Sequence, residues 1–289
     1  MNEPGQYDDR ATHAVYSVLI ELGQVLGAYT DRFVVIGGSV PWLLCPGAEP
    51  AHIGTIDVDL CLDAEALGDG EYANLIDLLQ HAGYRRGENQ MRAFQMVRTV
   101  KLDEGEPINV IIDFLMPKNA KIVRNKPPIL AGFAVQRADG ADLATHNFVQ
   151  HELSGQMPDG RNNTVKLRVA NIPALLVMKG YAIVGRDKPK DAYDIYYVVK
   201  HCEDGIEALG DACRALVDID AARTAYRNIA GKFANPDDFG PQTVRKFLVE
   251  SGATEGMTDA QIAQDAFAQV DAWLRRRVSD SRDRHGPKP

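Results

Sequence analysis

No run in the 289-residue sequence approaches the ~18 consecutive apolar residues of a membrane-spanning helix. The N-terminal stretch, Met1-Asn2-Glu3-Pro4-Gly5-Gln6-Tyr7-Asp8-Asp9, lacks a basic-then-apolar leader pattern. A cytoplasmic protein without membrane contact is therefore expected. Cysteine is scarce: Cys45, Cys61, Cys202 and Cys213 are the whole set, and no two are spaced C-x-x-C. That excludes a zinc ribbon or dithiol redox motif and predicts reduced, mostly buried thiols. Positive charge is in deficit, with a net charge of −8 and a pI near 5.4, so the surface as a whole is not a nucleic-acid footprint. Neither G-x-x-x-x-G-K-[ST] nor G-x-G-x-x-G occurs, which excludes a P-loop and a dinucleotide fingerprint. There is no internal repeat and no long low-complexity segment.

What is present is an ordinary globular composition, 45% apolar and 25% charged, long enough for two domains. Val15, Val18, Leu19, Leu22, Val25 and Leu26 recur at helical spacing over residues 11–29. Phe33-Val34-Val35-Ile36 reads as a short buried strand ended by Gly37-Gly38, and Ser39 opens a short helix to Leu44. Residues 55–62 alternate, with Ile56, Val58, Leu60 and Leu62 on one face and Thr55, Asp57, Asp59 and Cys61 on the other. A helix follows over 71–81, then strands over 92–101 and 108–115. This order indicates an α/β arrangement with a mixed sheet. Strands are also expected over 129–136 and 165–169, joined by a polar stretch. From Asn171 on the pattern is helical, with helices near 172–184, 189–201, 204–216, 219–232, 240–251 and 258–277; Pro173 suits a first helical turn.

Four groups of residues carry chemistry. Gly37-Gly38-Ser39 joins a strand to a helix start, where exposed N–H groups favour an anion such as phosphate, although strand-Gly-Gly-helix is also a common tight turn. Asp57 and Asp59 point the same way from one strand and repel unless a cation lies between them; hard oxygen ligands suit Mg²⁺. Taken alone, D-x-D is more often a solvated strand face. Asp113 lies inside the apolar run Ile108-Asn109-Val110-Ile111-Ile112-Asp113-Phe114-Leu115, and an unpaired acid there is expensive to bury. Pairing of this strand with residues 55–62 brings Asp113 beside Asp57 and Asp59; the competing reading is a strand-end Asp bonded to backbone amides. Finally, Lys179 interrupts an apolar helix, so its ammonium must snorkel or meet an anion. Asp191 and Asp194, at i,i+3 in Lys190-Asp191-Ala192-Tyr193-Asp194-Ile195-Tyr196, share a helix face. Their plain reading is a salt bridge between packed helices.

The order Gly-Gly-Ser, D-x-D, strand Asp, helix Lys, then K-D-x-x-D resembles the polymerase-β-like nucleotidyltransferases. The segment from Lys190 to Tyr196 is similar to the AbiEii/AbiGii toxin family and its MenT relatives, the enzyme halves of bacterial toxin–antitoxin and phage-defence pairs. The resemblance spans about residues 30–200. It implies an α+β protein: a nucleotidyltransferase domain with a mixed sheet over residues 1–128, a mainly helical domain over 129–278 closing the nucleotide cleft, and a flexible basic tail over 279–289. It further implies that Gly37, Gly38 and Ser39 bind nucleotide phosphates, and that Asp57 and Asp59 are catalytic metal ligands with Asp113 as the superfamily's third carboxylate. Lys179 matches the helix lysine that contacts the triphosphate. Asp194 matches the second-domain aspartate, with Asp191 as the alternative register and as a nucleotide contact. Two departures stand out. Pro46-Gly47-Ala48-Glu49-Pro50 looks like an inserted loop. His52-Ile53-Gly54-Thr55 also fills the space where many relatives carry an Arg; His52 reads as a surface-loop residue, with a nucleotide contact as the alternative.

The implied reaction is transfer of NMP from an NTP to an acceptor hydroxyl with release of pyrophosphate, using Mg²⁺, with Mn²⁺ as the alternative metal. The implied acceptor is the tRNA 3′ end, and a cognate antitoxin is the implied partner. RNA binding needs cationic surface. Candidates are residues 116–126 (Lys118, Lys121, Arg124, Lys126), Arg186-Lys188-Lys190, Arg223-Arg227-Lys232, and the tail from Arg275. The tail carries six basic residues against Asp280 and Asp283. The acidic net charge equally suits a small-molecule acceptor, as in the antibiotic adenylyltransferases, or a protein acceptor. A non-catalytic nucleotide-binding or interaction module is the rival from another class.

Overall fold

The four residues of β1 (Phe33–Ile36), one aromatic and three β-branched, are all buried, as expected of a strand covered on both faces. The structure, a computed structural model, describes residues 9–63, 65–67, 71–86, 91–102, 105–120, 134–186 and 188–278. β2 (Asp57–Leu62) runs antiparallel to β1 and places Ile36 opposite Asp59. On the far side of β2, β4 (Ile108–Pro117) is parallel to it, with Asp59 opposite Asp113. β3 (Gln95–Val100) closes that edge antiparallel to β4, Gln95 opposite Asp113. On the other side of β1, β7 (Asn162–Ala170) is parallel to it and forms an antiparallel hairpin with β6 (Phe148–Gln156). The strand order is β3-β4-β2-β1-β7-β6, and β5 (Gln136–Ala138) extends the end of β4.

α1 (Asp9–Val25) packs on this sheet through Ala14, Val15, Val18, Leu19 and Leu22, all fully buried. Gly23 meets Val165 of β7, and Glu21 takes a two-pronged bond from Arg98 of β3 at 2.7 and 2.8 Å. α2 (Ser39–Leu44) follows β1, α3 (Glu71–His81) follows β2, and α4 (Ala141–His146) precedes the hairpin. The expected helices and strands up to 115 therefore form, with ends shifted by a few residues. The polar stretch expected between two strands instead contains α4 and β6. β6 is an edge strand on which only Leu153 is buried, so it carries almost no hydrophobic alternation.

The rest is helical: α5 (Ile172–Gly185), α6 (Pro189–His201), α7 (Gly205–Arg214), α8 (Asp220–Lys232), α9 (Phe239–Glu250) and α10 (Asp259–Val278). All six expected helices are present. α5 has no polar side on its inner turns: Ala174, Leu175, Leu176 and Val177 are buried in succession. Pro189 occupies the first turn of α6, where its missing N–H costs nothing. α5 and α8 approach so closely that a Cβ on Gly180 would lie 2.5 Å from the carbonyl oxygen of Ala225. Trp273 of α10 meets Tyr226 of α8 edge-on at 5.5 Å.

The described residues divide into two compact units. The sheet unit comprises those within Gln6–Leu43 and Ile53–Leu175; the helical unit comprises Leu44–His52 and those from Leu176 on. The sheet unit thus runs to Leu175, because β5, β6 and β7 join the same sheet, whereas the sequence places a boundary at 128/129. That boundary itself, most of the strand expected over 129–136, the cationic residues Lys121, Arg124 and Lys126, and the basic tail over 279–289 lie outside the described residues. The loop that reads as an insertion belongs to the helical unit, where Tyr197 of α6 donates to the carbonyl of Pro50 at 3.0 Å. Among the described residues, no helix is long and apolar enough to cross a membrane.

Candidate active site

In the sheet unit the chemistry-bearing residues fall in one row across the strands. Asp57 and Asp59 alternate with the buried Val58 and Leu60, so both carboxylates share one half-buried face of β2. The parallel register with β4 sets Asp113 beside Asp59, and the antiparallel register with β3 sets Gln95 beside Asp113. Gln95 donates its side-chain amide to Asp113 Oδ1 at 2.8 Å, which gives Asp113 a side-chain donor from the neighbouring strand. Thr55, itself buried, donates its hydroxyl to Asp57 Oδ1 at 2.8 Å. Both second-row groups escaped the sequence reading as site residues. The signal for Thr55 was its place on the same strand face as Asp57; Gln95 had none, because its partner is fixed by register.

The turn after β1 closes onto the same row. Gly37 has a φ of +72°, the left-handed region that favours glycine, and a Cβ there would lie 1.9 Å from Asp59 Oδ2. The glycine is thus required twice, by backbone conformation and by the carboxylate lying against it. Gly38 follows, and Ser39 is fully buried with an Oγ that has no hydrogen-bond partner among the described residues. A buried hydroxyl left unsatisfied costs ~1–3 kcal/mol, which a ligand oxygen would recover. Among the described residues, no three His, Cys, Asp or Glu side chains form a ready metal-holding group. Two same-face carboxylates nonetheless fit Mg²⁺, which is commonly bound by one or two carboxylates with waters and substrate phosphates completing its shell. The donor set is all oxygen, and the neighbouring hydroxyl is unsatisfied, so the residues present fit a metal–phosphate group.

In the helical unit a second cluster is built on α5 and α6. All residues from Lys190 to Val199 on α6 are buried, including Lys190, Asp191 and Asp194. Lys179 of α5 is 5% exposed, with Nζ 2.7 Å from Asp191 Oδ1 and 2.6 Å from Asp194 Oδ2. Arg186 reaches both oxygens of Asp191 at 2.7 and 2.9 Å. Lys190 reaches Asp194 Oδ1 at 2.9 Å, and His52 Nε2 lies 3.0 Å from the same oxygen. The anions that Lys179 required are therefore the two aspartates of its own unit. His52 is not a surface-loop residue: it is 6% exposed, stacked on Tyr193 at 5.2 Å and edge-on to Tyr197 at 4.7 Å. Lys190 is not surface for RNA either, being 3% exposed and spent on Asp194.

The charges divide as the contacts dictate. Burial works against the Lys179 ammonium, but Asp191 and Asp194 outweigh it and hold its pKa above the ordinary range. For Lys190 burial outweighs the pull of Asp194, and its pKa is lowered. Burial also works against Asp191, yet Lys179 and Arg186 bring its pKa down to about 2; Lys179 and Lys190 hold Asp194 well below the carboxylate range. His52 is pushed down to about 4 by burial first and then by Lys190, against the pull of Asp194. It is neutral at pH 7, and because its partner is a carboxylate, Nε2 carries the proton.

A pH dependence follows. His52 has a lower pKa folded than unfolded (ordinarily ~6.5), so on acidification the unfolded chain takes up a proton that the native state refuses. Its contribution to stability is present above pH ~6.5 and is lost as the pH falls to about 4. The contribution of Asp191 is present above ~3.9 and is lost as the pH falls through about 2. Urea unfolding at pH 7 and pH 5 is expected to show lower stability at pH 5, and a smaller difference in His52→Gln. Equal differences in the two proteins would exclude His52 as the source.

The comparisons with known proteins agree with this arrangement at the level of fold and family. No curated protein matches the sequence. Among solved structures, JHP933 from Helicobacter pylori is similar over 93% of this chain and 94% of its own, with a TM-score of 0.50 and 11% identity, a likeness of fold. A second H. pylori structure, described as a "putative nucleotidyltransferase", covers 92% of this chain and 96% of its own at a TM-score of 0.46 and 11% identity. The family profile "Nucleotidyl transferase AbiEii toxin, Type IV TA system" matches residues 28–269, which include every candidate site residue above. The chain therefore belongs to the AbiEii nucleotidyltransferase toxin family of type IV toxin–antitoxin systems.

Proposed function

We propose that this protein transfers NMP from an NTP to the 3′ end of tRNA, as the toxin half of a pair opposed by an antitoxin. The observation that carries the transfer chemistry is the row itself: Gly37 closed against Asp59, Asp57 on the same strand face, and Asp113 in register one strand over. The Gly37-Gly38 turn offers backbone N–H groups, and Ser39 an unsatisfied hydroxyl, to the β- and γ-phosphates. Asp57 and Asp59 are the metal ligands and Asp113 the third carboxylate; Thr55 and Gln95 keep the first and last from turning away. A bound Mg²⁺ supplies charge neutralisation of the triphosphate and polarises the acceptor hydroxyl. The acceptor oxygen attacks the α-phosphorus, the bond to the β-phosphate oxygen breaks, pyrophosphate leaves, and the acceptor proton is lost to a base. Such reactions are driven by positioning and charge stabilisation, which is what a fixed row of oxygens and amides provides.

Lys179 is assigned to the triphosphate, with Asp194 and Asp191 setting its position. In support, a lysine held by two aspartates occupies a helix that otherwise has no use for charge. The tRNA acceptor rests on the family resemblance, and Arg223 and Arg227, both exposed on α8, suit phosphate contacts. The net charge of −8 equally suits a second reading, a small-molecule or protein acceptor.

The test is incubation of the protein with Mg²⁺, total tRNA and each α-³²P-labelled NTP in turn. The expected result is label on RNA with one NTP and none in EDTA. Label on a protein or small molecule in a cell extract, with bare tRNA unlabelled, would replace the acceptor. NTP binding with no labelled product in either mixture would favour the non-catalytic module.

A further inference from the structure

We infer that His52 is a positioning residue for nucleotidyl transfer: from its Nε2–H it fixes the Asp194 carboxylate, and through Asp194 the ammonium of Lys179. This rests on the assignment of Lys179 to the triphosphate.

The argument begins with how Asp194 is shared. Its Oδ2 is 2.6 Å from Lys179, while its Oδ1 receives both Lys190 at 2.9 Å and His52 at 3.0 Å. A carboxylate between two flexible lysine stems can rotate and drag both with it. A planar imidazole cannot follow such a rotation. Here the ring is also clamped, stacked on Tyr193 at an interplanar angle of 25° and edge-on to Tyr197 at 72°. It is therefore the stiff member of the network. Being neutral, it directs Asp194 without adding a further buried cation to a cluster in which Lys179, Lys190 and Arg186 already face two carboxylates.

The segment that delivers His52 strengthens the case. Leu44–His52 begins at the last residue of α2 and precedes the strand carrying Asp57 and Asp59, yet it groups with the helical unit. Its hold there is side-chain chemistry: His52 on Asp194, and the Tyr197 hydroxyl on the Pro50 carbonyl. A loop needing only to close the chain has no reason to bury a histidine against a charged aspartate. Burying the ring is costly unless its polar edge is satisfied, and Asp194 is what satisfies it.

Three substitutions separate a positioning role from a packing role. His52→Phe keeps the ring between the tyrosines and removes the donor. His52→Gln replaces Nε2–H with an amide N–H at similar reach. His52→Asn carries its amide one methylene short of that reach, and it serves as the comparison lacking the Asp194 contact if His52→Phe is insoluble. Transfer is measured with α-³²P-NTP at saturating acceptor, alongside thermal melting. His52→Phe or His52→Asn is expected to lower kcat/KM for NTP by about 10–100-fold, the range for losing a bond to a charged group, and His52→Gln to recover most of it. Melting temperatures should not follow the same ranking. Unchanged kinetics in His52→Phe or His52→Asn would overturn the inference. So would equal losses in all three variants tracking their melting temperatures, which is the mark of packing alone. Unchanged kcat/KM for NTP in Lys179→Met, with active wild type alongside, would instead remove the assignment of Lys179 to the triphosphate on which this inference stands.

Discussion

Asp57→Asn is expected to abolish nucleotidyl transfer while leaving the protein folded. The substitution keeps the shape of the side chain, and its carbonyl can still accept the Thr55 hydroxyl that now reaches Oδ1. What it removes is one of two negative charges on a single strand face. Without that charge a divalent cation loses half of its anionic protein ligands on β2, and metal assistance to phosphoryl chemistry is worth several kcal/mol. The loss of rate should be at least ~10³-fold at saturating NTP. Stability should move the other way: Asp57 and Asp59 repel when no cation lies between them, so metal-free Asp57→Asn should melt no lower than the wild type. Added Mg²⁺ should raise the wild-type melting temperature and leave that of Asp57→Asn nearly unchanged. Retention of more than a tenth of the wild-type rate would show that the carboxylate pair on β2 is not the metal-binding centre.

The second large effect is on stability and belongs to the helical unit. Asp194→Asn is expected to destabilise it by about 3–5 kcal/mol, the usual cost of removing one partner from a buried ion pair. The side chain is completely buried and serves two buried lysines, Lys179 and Lys190. Removing its charge takes from Lys190 the carboxylate 2.9 Å from its ammonium and leaves Lys179 with Asp191 at 2.7 Å. A loss of that size lowers an unfolding midpoint by on the order of 10 °C, readable by calorimetry. The cause can be checked by adding Lys190→Met. If uncompensated charge is responsible, the double variant should be more stable than Asp194→Asn alone, since a hydrophobic replacement of a broken pair relieves the penalty. Additive losses would point to packing instead. Transfer should fall in Asp194→Asn as well, but only the stability change should be relieved by the second substitution.

The two clusters differ in how far the sequence announced them. The Asp57, Asp59 and Gly37-Gly38 elements were legible because each is local. A two-residue period puts both carboxylates on one strand face, and a glycine pair after four apolar residues ends a strand. The same locality explains the six C-terminal helices, α5 as a continuous apolar run and the other five through their own apolar period. β6 is not legible in the same way, because an exposed edge strand has little burial to impose a period. The charge of Lys190, read alone, suggests surface and says nothing of Asp194 and the buried helix around it.

By itself, then, the sequence determined the order of the elements apart from α4 and β6, the placement of acids on β2, the need for anions near Lys179, and the family. Only the tertiary structure decided which residues meet. Asp59 lies beside Asp113 because β2 and β4 pair in parallel at one register and not its neighbour, and a shift of one residue would have turned Asp113 to the other face. His52 meets Asp194 across 142 residues of chain because a buried ring needs an acceptor and a buried carboxylate needs donors. Local periodicity encodes which face a side chain takes; the partner on that face is set by burial and charge satisfied over long distances in sequence.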